Sequence, residues 1–214
     1  MAKIYKINGG VKYEHDNKSI QQLVIENKKD LSFCNLSNLD LSSCDLSNSN
    51  LFSSDLSNSD LSYSNLFNSN LSYSNLSSCN LSESNLSKAD LYFCNLSACD
   101  LSESDLSYSN LSYSNLSACD LSDTQFTSCN LSSCNLSEIK YYSESHDIFN
   151  ELCRRNYKKF NNEKLGIIYK ISQLRLCWQT IMMKFKWDDI TNIFEILSDN
   201  GYDEYLIKWD LVTE

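Results

Sequence analysis

From Leu31 to Leu136 a leucine falls at every fifth position, with Phe126 the single substitute, which makes 22 consecutive centres. The residue before each centre is Asn or Asp at 21 of the 22 places, Gln125 being the exception. Two before the centre stands a small residue, usually Ser or Cys, with Lys29 and Leu39 departing near the start. Ser follows the centre except at Phe52, Phe67, Tyr92 and Thr127. A period of five fits neither regular element. Five helical residues rotate by roughly 500°, which would scatter the leucines around an α-helix. In a straight strand an odd period sends alternate leucines to opposite faces. The leucines are buried together only if the backbone turns a corner once per repeat and winds into a coil around a leucine axis.

Cys79-Asn80-Leu81-Ser82-Glu83 and Ser109-Asn110-Leu111-Ser112-Tyr113 are full matches to the motif small–Asn/Asp–Leu/Phe–polar–any, and over about half its length the chain resembles the pentapeptide repeat family. The resemblance implies a mainly β fold, a right-handed quadrilateral β-helix with four pentapeptides per coil. Here that gives about 5.5 coils and a rod of roughly 25 Å at about 4.8 Å per coil. Family members often place Gly at the last motif position, where a type II turn needs φ > 0. In this chain Asn38, Asn48, Asn58 and Asn68 hold it early and mostly Tyr, Glu, Ala or Ser later, so few type II turns are expected in the later coils.

Eight of the ten cysteines, Cys34, Cys44, Cys79, Cys94, Cys99, Cys119, Cys129 and Cys134, take the small inward position, where a thiol fills space beside leucine as a compact hydrophobe. Twenty residues separate Cys79, Cys99 and Cys119, so they are expected in one column continued by Ile139. A column sets sulfurs in line, whereas tetrahedral zinc needs four ligands around a point, so no metal site is assigned. Stacked parallel side chains also point the same way rather than towards each other, which disfavours a disulfide framework.

A twenty-residue coil sorts the outward positions into faces. One face carries Asp40, Asp60, Asp100 and Asp120 before the centres, with Glu83, Glu103 and Asp123 two after. The opposite face carries Phe33, Tyr73, Phe93 and Tyr113, with Phe52 and Tyr92 adjacent. Of the formal charge of −10, the segment Leu31–Glu138 alone holds −11. The acidic face reads as solubility together with Asp serving the turn backbone as Asn does, or as DNA mimicry, since the resemblance includes quinolone-resistance proteins that look like duplex DNA and bind type II topoisomerases. Their binding residues are not transferable, because no loop interrupts the five-residue register here. The aromatic face is a contact surface or a set of sheet-compatible residues on exposed turns, partly covered by another segment.

The ends differ from the middle. Ile4–Ile7 and Val11–Glu14 flank Asn8-Gly9-Gly10 as a hairpin, and Ser19-Ile20-Gln21-Gln22 reads as a capping box opening a short helix. Residues 1–29 thus form a hairpin–helix cap over the open first coil, 30–140 the β-helix, and 141–214 an α-helical region. In that region Ile167, Ile171, Leu174, Trp178, Ile181 and Phe185 lie on one helical stripe. A helix is expected around His146–Phe160, another capped by Asp188 and ended by Gly201, with Ile190, Ile193, Phe194 and Leu197 inward, and a last over Asp203–Val212. Ser145-His146-Asp147 reads as a helix start and not as a triad, since sequence neighbours cannot converge on one reacting atom. The stripe with Trp178, Met182 and Met183 is core. Arg154-Arg155-Asn156-Tyr157-Lys158-Lys159, the strongest basic cluster, is a solvated helix face, a contact for the acidic coil, or a weak, salt-sensitive nucleic-acid contact.

Only His15 and His146 are available for imidazole chemistry, and no glycines beyond the Gly9-Gly10 pair stand close enough for a phosphate loop. No catalytic residue, cofactor or metal is therefore assigned. The acidic balance argues against binding nucleic acid or anionic membrane directly. The opening residues lack the apolar run of a signal peptide, and with no membrane span the setting is expected to be cytoplasmic, with reduced thiols. The expected activity is non-enzymatic: a rigid acidic scaffold for an unidentified protein partner, with a homodimer through the C-terminal helices as a further option.

Overall fold

The residue two after each centre adopts a left-handed backbone at all 22 repeats, with φ between 51° and 62° from Phe33 to Glu138. These angles come from a computed structural model that describes residues 1–142, 146–174, 181, 185, 187–199 and 202. The residue before each of them keeps a negative φ, and the N–H that follows closes the corner onto the leucine carbonyl, as Ser84 does onto Leu81 at 3.2 Å. This is the type II pattern. It therefore runs through the whole coil and overturns the expectation that the corners lacking Asn would abandon it. Left-handed backbone costs a non-glycine residue about 1–2 kcal/mol. From Phe33 to Ala118 each corner is nevertheless held from two sides: Leu81 N–H donates to Asp100 O at 2.8 Å and Glu83 N–H to Ser102 O at 2.9 Å, with the same pair repeated at every corner in that range. Replacing Ala98, at φ 57°, by Gly is thus expected to raise stability by about 0.5–1 kcal/mol, whereas Ala98→Val lowers it. Urea unfolding checks both.

Parallel bridges join each residue before a centre to the residue twenty further on, from Asn35↔Asp55 to Asp120↔Lys140, so the chain returns to the same side every four pentapeptides. The repeat centres from Leu31 to Leu116 have no solvent exposure, and the remaining centres up to Leu136 stay buried. The small inward residue does more than fill space. Ser54 Oγ donates to Leu31 O at 2.6 Å, and Cys79, Cys94 and Cys99 donate through sulfur to the carbonyls of Leu56, Leu71 and Leu76. A leucine carbonyl has two lone pairs; the turn N–H takes one, and the other goes to the next coil's hydroxyl or thiol at Leu31, Leu56 and Leu71 or to the corner's own serine hydroxyl at Leu66, Leu81 and Leu106. Ser and Cys alternate there because both are small donors. Burial pushes the Cys79 thiol up to about 11 and Cys94 to about 12, which keeps the donating proton in place.

Residues Met1–Lys140 and Tyr141–Glu214 form two compact units. In the first, β1 (Ala2–Lys6) and β2 (Val11–His15) make the expected hairpin, with Gly9 at φ 89° in its turn. Strand β1 pairs on its other side, antiparallel, with β3 (Cys34–Asn35), giving the order β2-β1-β3. Helix α1 (Ile20–Glu26) opens on the full Ser19/Gln22 capping box and buries Leu23 and Val24.

In the second unit, α2 (His146–Arg155) stops five residues before the expected end and gives way to a 3-10 turn at Tyr157–Lys159. Helix α3 (Asn162–Leu174) buries Ile167 and Ile171; α4 (Trp187–Ser198) buries Ile190, Ile193, Phe194 and Leu197. Since α4 starts at Trp187, Asp188 lies inside its first turn rather than capping it. Phe149 packs edge-on against Phe194 at 6.2 Å. Ser145, Trp178, Met182, Met183, Gly201 and the expected helix over 203–212 lie outside the described residues. Among the described residues no helix is long and apolar enough to cross a membrane.

Candidate interaction faces

Each Asn or Asp before a centre folds its side chain back onto its own corner. Asp100 Oδ1 accepts from Ser102 N–H at 3.0 Å and Ser102 Oγ at 2.6 Å; Asn80 Oδ1 accepts the same two bonds from Ser82 at 3.1 and 2.7 Å. Within a corner the two residues are therefore interchangeable. Between coils they are not. Asn135 Nδ2 donates to Asn115 Oδ1, Asn115 to Asn95, Asn95 to Asn75, and Asn75 to Asp55. Asn130, Asn110 and Asp90 form a second ladder, and Asn65 donates to Asp45. Each ladder ends on an aspartate, which accepts but has no proton to give.

The column Asp40, Asp60, Asn80, Asp100 and Asp120 carries no such bonds among the described residues. Asp100 and Asp120 instead stack as carboxylates one coil apart, as do Asp40 and Asp60. Beside them Glu83, Glu103 and Asp123 are exposed. Seven of the coil's twelve acids thus share one face. Sequence reading missed Tyr63, whose hydroxyl donates to Glu83 Oε1 at 2.5 Å. The twenty-residue spacing from Tyr63 to Glu83 was the available signal.

Local bonds hold some acids ionised. The Ser42 bonds lower Asp40, and Ser47 together with Lys28 at 3.0 Å takes Asp45 down to about 2. A carboxyl with its folded-state pKa below the unfolded value binds fewer protons when folded, so its stabilisation is present above about pH 4 and lost as pH falls towards 2. Denaturant midpoints are expected to decline over that window, less steeply in Asp45→Asn, as a urea series at stepped pH reads out.

Two corners away, Phe33, Tyr73, Phe93 and Tyr113 are each slightly over half exposed, at 52–54%. They are not isolated. Phe52 bridges Phe33 and Tyr73 edge-on at 5.6 and 5.7 Å. Tyr73, Phe93 and Tyr113 then stack at 5.6 and 5.9 Å, and Tyr92 touches all three. Six rings make one continuous ladder, and the stripe was legible from the twenty-residue period. Within the basic cluster the two arginines reach back along their own helix, where Glu151 is buried and accepts from Arg154 at 2.6 Å and Arg155 at 2.8 Å, while Lys158 and Lys159 stay exposed. Those two guanidiniums outweigh the burial that would raise the Glu151 carboxyl, and hold it low. Among the described residues no group of three or more His, Cys, Asp or Glu is placed to hold a metal ion.

A pentapeptide repeat region family matches residues 69–142, and a family of pentapeptide repeats in eight copies matches residues 30–62. No curated protein matches the chain. Among solved structures, alr5209, a pentapeptide repeat protein from Nostoc PCC 7120, is 33% identical over 45% of this chain and 84% of that one, with a TM-score of 0.41. Rfr23, a pentapeptide repeat protein from the cyanobacterium Cyanothece 51142, is 30% identical over 40% of this chain and 62% of that one, TM-score 0.24. QnrB1, a plasmid-mediated fluoroquinolone resistance protein, is 20% identical over 47% of this chain and 58% of that one, TM-score 0.31. The present chain spans less than two thirds of the latter two.

Proposed function

Because this chain belongs to the pentapeptide repeat family, whose coil is a β-helix, we propose that it is a non-enzymatic interaction scaffold of about 5.5 coils that offers its acidic face to a basic groove on another protein. In this reading residues 1–29 cap the coil, 30–140 present the surface and 141–214 serve as a separate helical module. The observation that carries it is the column Asp40, Asp60, Asn80, Asp100 and Asp120. Asparagine serves the corner equally, as Asn80 does, so the corner chemistry does not require the stacked carboxylates, which concentrate a negative field on this face.

A narrower reading is a DNA mimic acting on a type II topoisomerase or another DNA-binding enzyme. The carboxylate pairs favour it, since Asp40/Asp60 and Asp100/Asp120 stand one coil, about 4.8 Å, apart on a rigid axis and offer fixed negative charge to a groove built for phosphates. A gyrase supercoiling assay titrated with the protein, beside a direct binding measurement in rising salt, tests both. Inhibition that disappears with the charges supports mimicry. Unchanged supercoiling with salt-sensitive binding to another basic protein supports the broader scaffold, and salt-insensitive binding sinks both.

A further inference from the structure

We infer that the aromatic face is the contact for a second copy of this chain, docked antiparallel about a two-fold axis that lies in the interface and crosses the coil at Tyr73. Charge distribution selects the occupant. The coil holds −11, and seven of its twelve acids stand on the face opposite the rings. On the ring face the coil contributes two acids: Asp30, which is paired with Lys12 at 2.9 Å, and Asp90, whose Oδ1 already accepts from Tyr92 N–H and Asn110 Nδ2. Two copies of so acidic a rod approach with least repulsion through this side, which leaves both acidic faces pointing outward.

The ring pattern is also self-complementary. Counting by coils along the ring column, the order is Phe33, Ser53, Tyr73, Phe93, Tyr113, and the neighbouring column holds Phe52 and Tyr92. A two-fold through Tyr73 sets Phe33 against Tyr113, Phe52 against Tyr92, and the notch at Ser53 against Phe93. Tyr73 meets its own copy. The one missing ring thus faces the densest part of the ladder, as an isologous interface requires. Ile7 extends the strip, since its N–H donates to Phe33 O and its side chain is 55% exposed. Half-exposed rings of this number cover on the order of 1,000 Å² summed over two copies, the lower end of what a specific, reversible dimer uses.

The test uses the full chain. Sedimentation equilibrium from about 1 to 100 µM is expected to show a reversible dimer, held or tightened by salt as the like charges are screened. The triple substitution Tyr73→Ser, Phe93→Ser, Tyr113→Ser should weaken it at least tenfold. Folding is not at issue, because serine already occupies this left-handed position at Ser43, Ser53, Ser78, Ser128 and Ser133. Tyr73→Cys should be joined to its own copy by a short bismaleimide, which spans the gap that the flanking rings hold open, where the parent is not. A chain that stays monomeric throughout overturns the inference. So does a dimer that survives the triple substitution, as one built on the C-terminal helices would, or a dimer in which the Tyr73→Cys pair never cross-links.

Discussion

Leu81→Asp should abolish the cooperative unfolding of the coil. Leu81 has no solvent exposure and sits on the axis between leucines of the coils before and after it. Removing a buried leucine costs about 2–5 kcal/mol. A carboxylate left there with no cation or donor adds several more. The sum reaches the whole stability of an ordinary domain, about 5–15 kcal/mol. The damage spreads, because each coil is completed by its neighbours: Leu81 N–H donates to Asp100 O, and Asp100 N–H donates back to Cys79 O. Glu83→Ala, two residues away, should stay within about 0.5 kcal/mol of the parent, since Ala98 and Ala118 already hold the equivalent corner with the same left-handed φ. Thermal melts followed by circular dichroism separate the two; similar losses would show that the inward and outward positions have been exchanged.

The second large effect has opposite signs in binding and in folding. Asp100→Asn, Glu103→Gln, Asp120→Asn and Asp123→Asn together remove four charges from the acidic face. Binding to the basic partner should fall about 100-fold or more at low ionic strength, with a flatter salt dependence. Stability should rise, because an asparagine at 120 can donate to one at 100 as Asn115 does to Asn95. One such bond contributes about 0.5–1.5 kcal/mol. The corners themselves are kept, since Asn80 makes both bonds that Asp100 makes. Loss of binding with a raised melting temperature would therefore locate the effect in charge and not in misfolding. Retained binding at full strength would remove the acidic face from the function.

The five-residue period was enough to find the buried leucine axis and the two sorted faces, and the Asn8-Gly9-Gly10 turn and the Ser19/Gln22 pair were enough to find the hairpin and the capping box, because each follows from residue spacing or from a local hydrogen-bond pattern. Three features were not legible. Left-handed corners were hidden because glycine is absent; at Phe33, Tyr63 or Glu83 the angle is imposed by hydrogen bonds to the following coil, and a rule based on local preference does not register them. The thiols were read as filler because their acceptor lies 23 residues back in the chain, as for Cys79 and Leu56. The early end of α2 at Arg155 comes from Asn156, whose side chain turns back to Leu152 O at 2.9 Å as the chain enters the 3-10 turn Tyr157–Lys159, a local bond that apolar periodicity does not encode.

The inward donors carry one more implication. A side chain such as Cys94 reaches the carbonyl of Leu71, 23 positions earlier, and the bridges span twenty. Gain or loss of a twenty-residue block would therefore leave every bond matched and every surface where it was. A five-residue indel would keep the leucines packed yet turn all later columns by a quarter, breaking the carboxylate row and the ring row at the same point. Such a rod lengthens without penalty only in whole laps, so its natural unit of inheritance is four motifs rather than one.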